Sequence, residues 1–415
     1  MDKFSISRRF VSTVILITTI VTSSLAQKTA TTSQWRGMIQ RKDGTNIIFN
    51  FDATTKNKKT TLYIKNAAER LRVDSVVFKN DSVFIKMPLF ESAFKARVSN
   101  GTWTGIWTKG TSSVEQVLPF TAIKSKVRFA ITNGPSTYNV NGRWAIKFSD
   151  DTAREATSIA ELWHHGNRLT GSILTPTGDY RFLEGIVTDT KLKMSGFDGS
   201  HAVYFTADII DKNTIANGQY YSGAKFNSQW SAVRNAKATV KIDESAMYLR
   251  PDADKLDFTF PDLNDNPVSI NDPRFKNKVV VVQLMGSWCP NCMDETQFLS
   301  DYYNKNKQRG IEMVALAYEY STDFERSKQS LLKFQKRFNV QYPVLITGVT
   351  VNDSLRTEKT LPQVTPIRVF PSSIILDKKG VVRKLDNSFF GPGTGEHYEI
   401  YKREFNETID KLLAE

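Results

Sequence analysis

Residues 278–292 read KVVVVQLMGSWCPNC. The run from 278 to 285 is almost wholly apolar, the pattern of a strand covered on both faces of a sheet rather than on one. Gly286 and Ser287 break the run. Two cysteines follow, with Pro290 and Asn291 between them, at the start of a stretch over 290–309 that reads as helix. These are the chain's 2 cysteines, too few for a disulfide-stapled scaffold or for an all-cysteine zinc site, which takes four. A bridge between Cys289 and Cys292 closes a very small loop and restrains little of the unfolded chain. It is a poor staple and a sensible redox couple.

Downstream, EMVALAYE (312–319) reads as strand and 323–338 as a helix with apolar Phe324, Leu331, Leu332, Phe334 and Phe338. Strands PVLIT (343–347), SSIILD (372–377) and VVRKLD (381–386) follow, then a helix over 396–414. Strands alternating with helices predict an α/β sheet. Upstream the pattern differs. Residues 236–255 are polar and form a linker, and 33–235 carry short runs such as NIIFNF (46–51), SVFIKM (82–87) and AVYFTADI (202–209) between Gly, Asn and Asp turns. This is an all-β region closing as barrels or sandwiches, apart from a helical turn near Asn66–Leu71. Within it Trp35 matches Trp144, Phe90 matches Phe197 and Gly105 matches Gly218, at offsets of 109, 107 and 113. Offsets this close suggest a duplicated module.

The 415 residues, 40% hydrophobic and 24% charged, suit a soluble multidomain chain. Residues 1–26 read as a secretory signal peptide: Lys3, Arg8 and Arg9, the apolar core FVSTVILITTIV (10–21), and cleavage after Ala26. The core is too short to span a membrane. The domain plan is therefore a signal over 1–26, β modules over 27–130 and 131–235, a linker over 236–255 and the α/β domain over 256–415. The formal charge is +13. Residues 27–130 hold 18 basic and 7 acidic residues, so the mature chain's excess of +11 sits in the first module, with Lys56, Lys58 and Lys59 its densest cluster. Such a surface suits an anionic lipid or envelope polymer, or simply a solvated face. Export and the lack of a nucleic-acid motif argue against nucleic acid.

DFTFPDLNDNPVSI (257–270), the cysteine stretch and FPSSIILDKKGVV (370–382) together resemble the TlpA/ResA group of exported thiol–disulfide oxidoreductases, with a thioredoxin-like fold. The β modules are similar to lipocalin-like extensions of such proteins. The resemblance implies a redox-active Cys289–Cys292 disulfide, no cofactor or metal, disulfide-bearing client proteins and a membrane partner that supplies electrons. Cys289 at a helix start gains thiolate character from free N–H groups and the helix dipole, and Cys292 resolves the mixed disulfide. Glu295, one turn beyond Cys292, can take its proton, and the resemblance makes it the active-site acid. Thioredoxin's acid on the preceding strand corresponds to Gln283, which does not titrate. The resemblance also makes Pro371 the cis proline facing the cysteines, with Phe370 before it and Trp288 as client-binding residues. A zinc site would have to recruit the remote His164, His165, His201 or His397. GPGTGEH (391–397) lacks the lysine of a phosphate loop and turns the chain into the last helix, with Thr394 as N-cap. Two other functions stay open: a thiol peroxidase, against which Met285 and Gly286 stand where its threonine belongs, and an envelope ligand-binding β protein with a secondary redox domain.

Overall fold

The computed structural model describes Met1 and residues 30–110, 116–131, 134–150, 157–241, 246–387 and 389–415. The signal-peptide reading of 1–26 lies outside them, Met1 apart.

In the first module alternation sets the fold. Ile47, Phe49 and Phe51 of Asn46–Lys56 point inward and are fully buried, while their neighbours are less so. Nine strands follow one another from Thr31–Gln40 to Gln116–Lys124, and the first pairs antiparallel with the last. Only Glu69–Val73 and Ser75–Lys79, the two ends of the strand order, leave the barrel short of closure. The second module has the same scheme. Its first strand, Gly142–Phe148, pairs with its last, Phe226–Arg234, and Ser158–His165 pairs with both Gly142–Phe148 and Arg168–Thr175, which closes the ring. Trp35 and Trp144 lie in the first strand of each sheet, and Gly105 and Gly218 in the penultimate strand.

The helical turn expected near Asn66–Leu71 is instead a hairpin. Lys59–Asn66 pairs with Glu69–Val73 through a turn in which Ala67 takes φ 47°. Asn66 is pinned by bonds to both the N–H and the carbonyl of Phe197, which favours the extended strand over a helical turn. Phe197 and Ala202 of the second module lie in the first barrel's apolar core, with the Phe197 ring 4.4 Å from that of Phe49. Arg128 fastens the same seam, donating to Asn50 Oδ1 and to the carbonyls of Ser195 and Lys65.

The C-terminal domain is built on β1 (Val279–Met285), which is buried along its whole length as its apolar run requires. After α1 (Pro290–Asn306) the chain forms β2 (Ile311–Ala317), α2 (Phe324–Phe338) and β3 (Val344–Ile346). A short α3 (Arg356–Thr360) precedes β4 (Ser372–Leu376), β5 (Val382–Asp386) and α4 (Glu396–Ala414). The sheet order is β3-β2-β1-β4-β5, parallel across the first three and antiparallel beyond β1. Met247, from the stretch read as linker, belongs to this domain's core. Thr394 does not cap α4. It lies in the 3-10 turn Pro392–Thr394, and its hydroxyl donates to the Gly391 carbonyl at 2.7 Å. Gly395, at φ 64°, is the capping position, because only there does the backbone turn into the helix.

Candidate active site

β1 ends at Met285, and Gly286–Trp288 carries the chain to α1. Gly286 is required: a Cβ there would stand 2.1 Å from the Trp288 indole nitrogen. That indole donates to the Tyr318 carbonyl at 2.8 Å, with Tyr320 and Phe370 against its faces and edges. Cys289 is the N-cap of α1, in extended backbone (φ −96°, ψ 121°), and its Sγ accepts the Cys292 N–H at 3.2 Å. The sulfur thus stands where unpaired helical N–H groups and the helix dipole favour negative charge. Cys289 Sγ also lies 3.4 Å from the Phe370 carbonyl, to which the thiol donates. Phe370–Pro371 is the cis peptide bond among the described residues. The sequence-selected Trp288, Cys289, Cys292, Phe370 and Pro371 therefore meet at one end of β1 and β4.

Both cysteines are free thiols, 3% and 0% exposed respectively. Burial pushes the Cys292 thiol well above its usual range, and the neighbouring Cys289 sulfur and Glu295 carboxylate add to the shift. Glu295 is buried under the helix. It accepts from Gln283 Nε2 at 2.7 Å, from the Ser373 hydroxyl at 3.0 Å and from the Tyr401 hydroxyl at 3.0 Å. These three donors favour the carboxylate, yet desolvation outweighs them and raises its pKa to about 7. Gln283, at the place of thioredoxin's strand acid, instead orients Glu295.

Glu319, which the sequence reading did not single out, is a second buried acid beside the site. It accepts from Ser287 N–H at 2.7 Å and from the Ser287 hydroxyl at 2.6 Å, so it fixes the turn before Trp288. Burial raises its pKa to about 7. Its position at the end of an apolar strand was the available signal.

A family model described as Redoxin matches residues 252–399. The C-terminal domain is a redoxin, of the thiol–disulfide oxidoreductase family. Thiol-disulfide oxidoreductase ResA of Bacillus thuringiensis subsp. konkukian (strain 97-27) is 26% identical over 147 residues, 35% of this chain and 73% of that protein. ResA of Bacillus subtilis (strain 168) is 24% identical over 133 residues, 32% of this chain and 65% of that protein. Among solved structures, a thioredoxin-family thiol:disulfide interchange protein from Chlorobium tepidum TLS is 20% identical, with a TM-score of 0.29 over 40% of this chain and 99% of that one. A thiol-disulfide oxidoreductase from Bacteroides fragilis NCTC 9343 is 18% identical, with a TM-score of 0.28 over 37% and 99%.

The β barrels reach into the redoxin site. Asn291, between the cysteines, donates to Asp179 Oδ2 at 3.0 Å, and Asp179 also accepts Gly391 N–H at 2.8 Å. Arg181 grips Asp294 of α1 with two bonds, of 2.7 and 2.8 Å, and reaches Glu69 of the first barrel at 2.7 Å. Burial works against the Arg181 charge, but the two carboxylates prevail and hold its pKa well above the usual value. The start of α1 is thus tied to the second barrel and, through Arg181, to Glu69 of the first. His201 pairs with Asp198 and His397 with Glu161, so these histidines serve barrel contacts rather than the dithiol.

Proposed function

We propose that this chain is an exported thiol–disulfide oxidoreductase that reduces disulfides of client proteins through Cys289 and Cys292. One observation carries the reading: the Cys289 sulfur caps α1, accepts the Cys292 N–H and stands beside the carbonyl of the residue before the cis proline. An extended client lies along Phe370 and Pro371 by strand-like pairing, with Trp288 shielding its far side. The Cys289 thiolate attacks one client sulfur, the client S–S bond breaks, and the departing sulfur takes up a proton. Cys292 gives its proton to Glu295 and attacks the Cys289 sulfur, releasing the second client thiol and leaving a Cys289–Cys292 disulfide. The client gains two electrons, which a membrane thiol donor returns to the pair. The reductive direction and the donor follow from the resemblance to TlpA/ResA, and export from the signal-like first 26 residues. The basic excess of residues 27–130 favours contact with an anionic envelope surface, which salt-sensitive retention on anionic vesicles tests.

Replacing Cys292→Ser removes the resolving thiol, so clients are expected to accumulate as mixed disulfides on Cys289, identifiable by mass spectrometry. Cells yielding no covalent partner would contradict the reading.

A further inference from the structure

The segment Pro88–Glu91 belongs to the first barrel by connection but packs with the redoxin domain. Leu89 and Phe90, 5% and 9% exposed, join the apolar cluster around β1 and not the core of their own barrel. Glu91 binds α2: its Oε2 receives Arg326 Nη2 at 3.1 Å and its Oε1 the Ser330 hydroxyl at 3.1 Å. The segment shares a cavity of about 60 Å³ with Ser287 and Trp288, which lead into Cys289, and with Tyr320. That space can hold a few water molecules. The backbone adds an independent sign. Phe90 and Glu91 stand at φ 67° and 44°, a left-handed pair rare for bulky side chains, which persists only where the surroundings impose it.

We propose that Pro88–Glu91 occupies the surface a client disulfide needs and that its side chains mark the client's chemistry. The client would present an apolar aromatic residue to the Trp288 wall and an acidic residue to Arg326 and Ser330. The inference rests on the oxidoreductase reading above. With the segment docked the dithiol is closed, and a client or an opening of the barrels must displace it.

The test follows alkylation of Cys289 by a bulky maleimide in the reduced full chain, with the modified cysteine located by mass spectrometry. Phe90→Gly removes the ring and suits the left-handed backbone, so the barrel keeps its turn, and alkylation should accelerate at least about tenfold. An unchanged rate overturns the proposal. Glu91→Arg, at a half-exposed position, should also accelerate alkylation, and adding Arg326→Glu should restore a rate within about twofold of the parent. Failure to restore it overturns the latch. A synthetic peptide of residues 86–92 should slow alkylation of the Phe90→Gly protein, whereas the same peptide with glycine in place of Phe90 should not. Equal behaviour of the two peptides overturns the client chemistry. Alkylation consumes no client, so failure here is distinct from failure of the oxidoreductase reading, which appears as absent mixed disulfides on Cys292→Ser.

Discussion

Burial and hydrogen bonding pull the proton affinity of Glu295 in opposite directions, and burial prevails, placing its pKa at about 7. A carboxyl poised there can accept the Cys292 proton and return it near neutral pH. Glu295→Gln keeps the shape but not the base, so the resolving step should slow about a hundredfold. Stopped-flow decay of a preformed mixed disulfide measures it, and the parent's rate should show an inflection at about pH 7 that the variant's, still climbing with the Cys292 thiolate fraction, lacks. The same shift bears on stability. A carboxyl whose folded pKa exceeds its unfolded value of 4.5 stabilises the fold fully below that value, and the contribution is lost as pH rises through about 7. Glu295→Gln should therefore gain stability over the parent between pH 4.5 and 8, by up to about 3 kcal/mol in urea titrations. A parent and variant with parallel pH profiles would contradict this account of Glu295.

At the scale of elements, the N-terminal half of α1 is held at Asp294 by a charge from outside its own domain. Arg181→Met leaves Asp294 and Glu69 buried without their cation, an expected loss of about 3–5 kcal/mol by urea denaturation. Asp294→Asn added to it should recover part of that loss, and strict additivity would show that the two residues are not coupled. Such pairs mark the limit of what the sequence reveals. The run at 278–285 declares a buried strand because every neighbour it needs is apolar, and the stripe of Phe324, Leu331, Phe334 and Phe338 declares α2 by spacing alone. Cys289, Cys292 and Glu295 were legible as neighbours because three-residue spacing stacks them on successive turns of one helix. Asp294 carries no mark in the sequence, since its partner lies 113 residues away. Asn66 was misread for the same reason: its partner Phe197 lies 131 residues on. Leu89 and Phe90 sit side by side in the apolar run MPLF (87–90), and only the assembled chain shows them in another domain's core.

For the whole molecule, the two barrels share a core rather than a surface contact. Phe197 sits inside the first barrel, and Arg128 is buried across the seam. Neither barrel can open without exposing apolar area and an arginine whose bonds span both. The barrels should therefore unfold together. Hydrogen exchange at Ile47–Phe51 and at Leu192–Phe197 should lose protection at the same urea concentration, and two separated transitions would contradict a shared core. The most direct measurement is a redox titration of the full chain against glutathione, read by intact mass. The dithiol account predicts a reversible change of two hydrogens per chain, following a two-electron Nernst curve of about 30 mV per decade, with Cys289 and Cys292 as the modified pair. Sulfurs that stay in one oxidation state across the titration, or that pair only between chains, would contradict it.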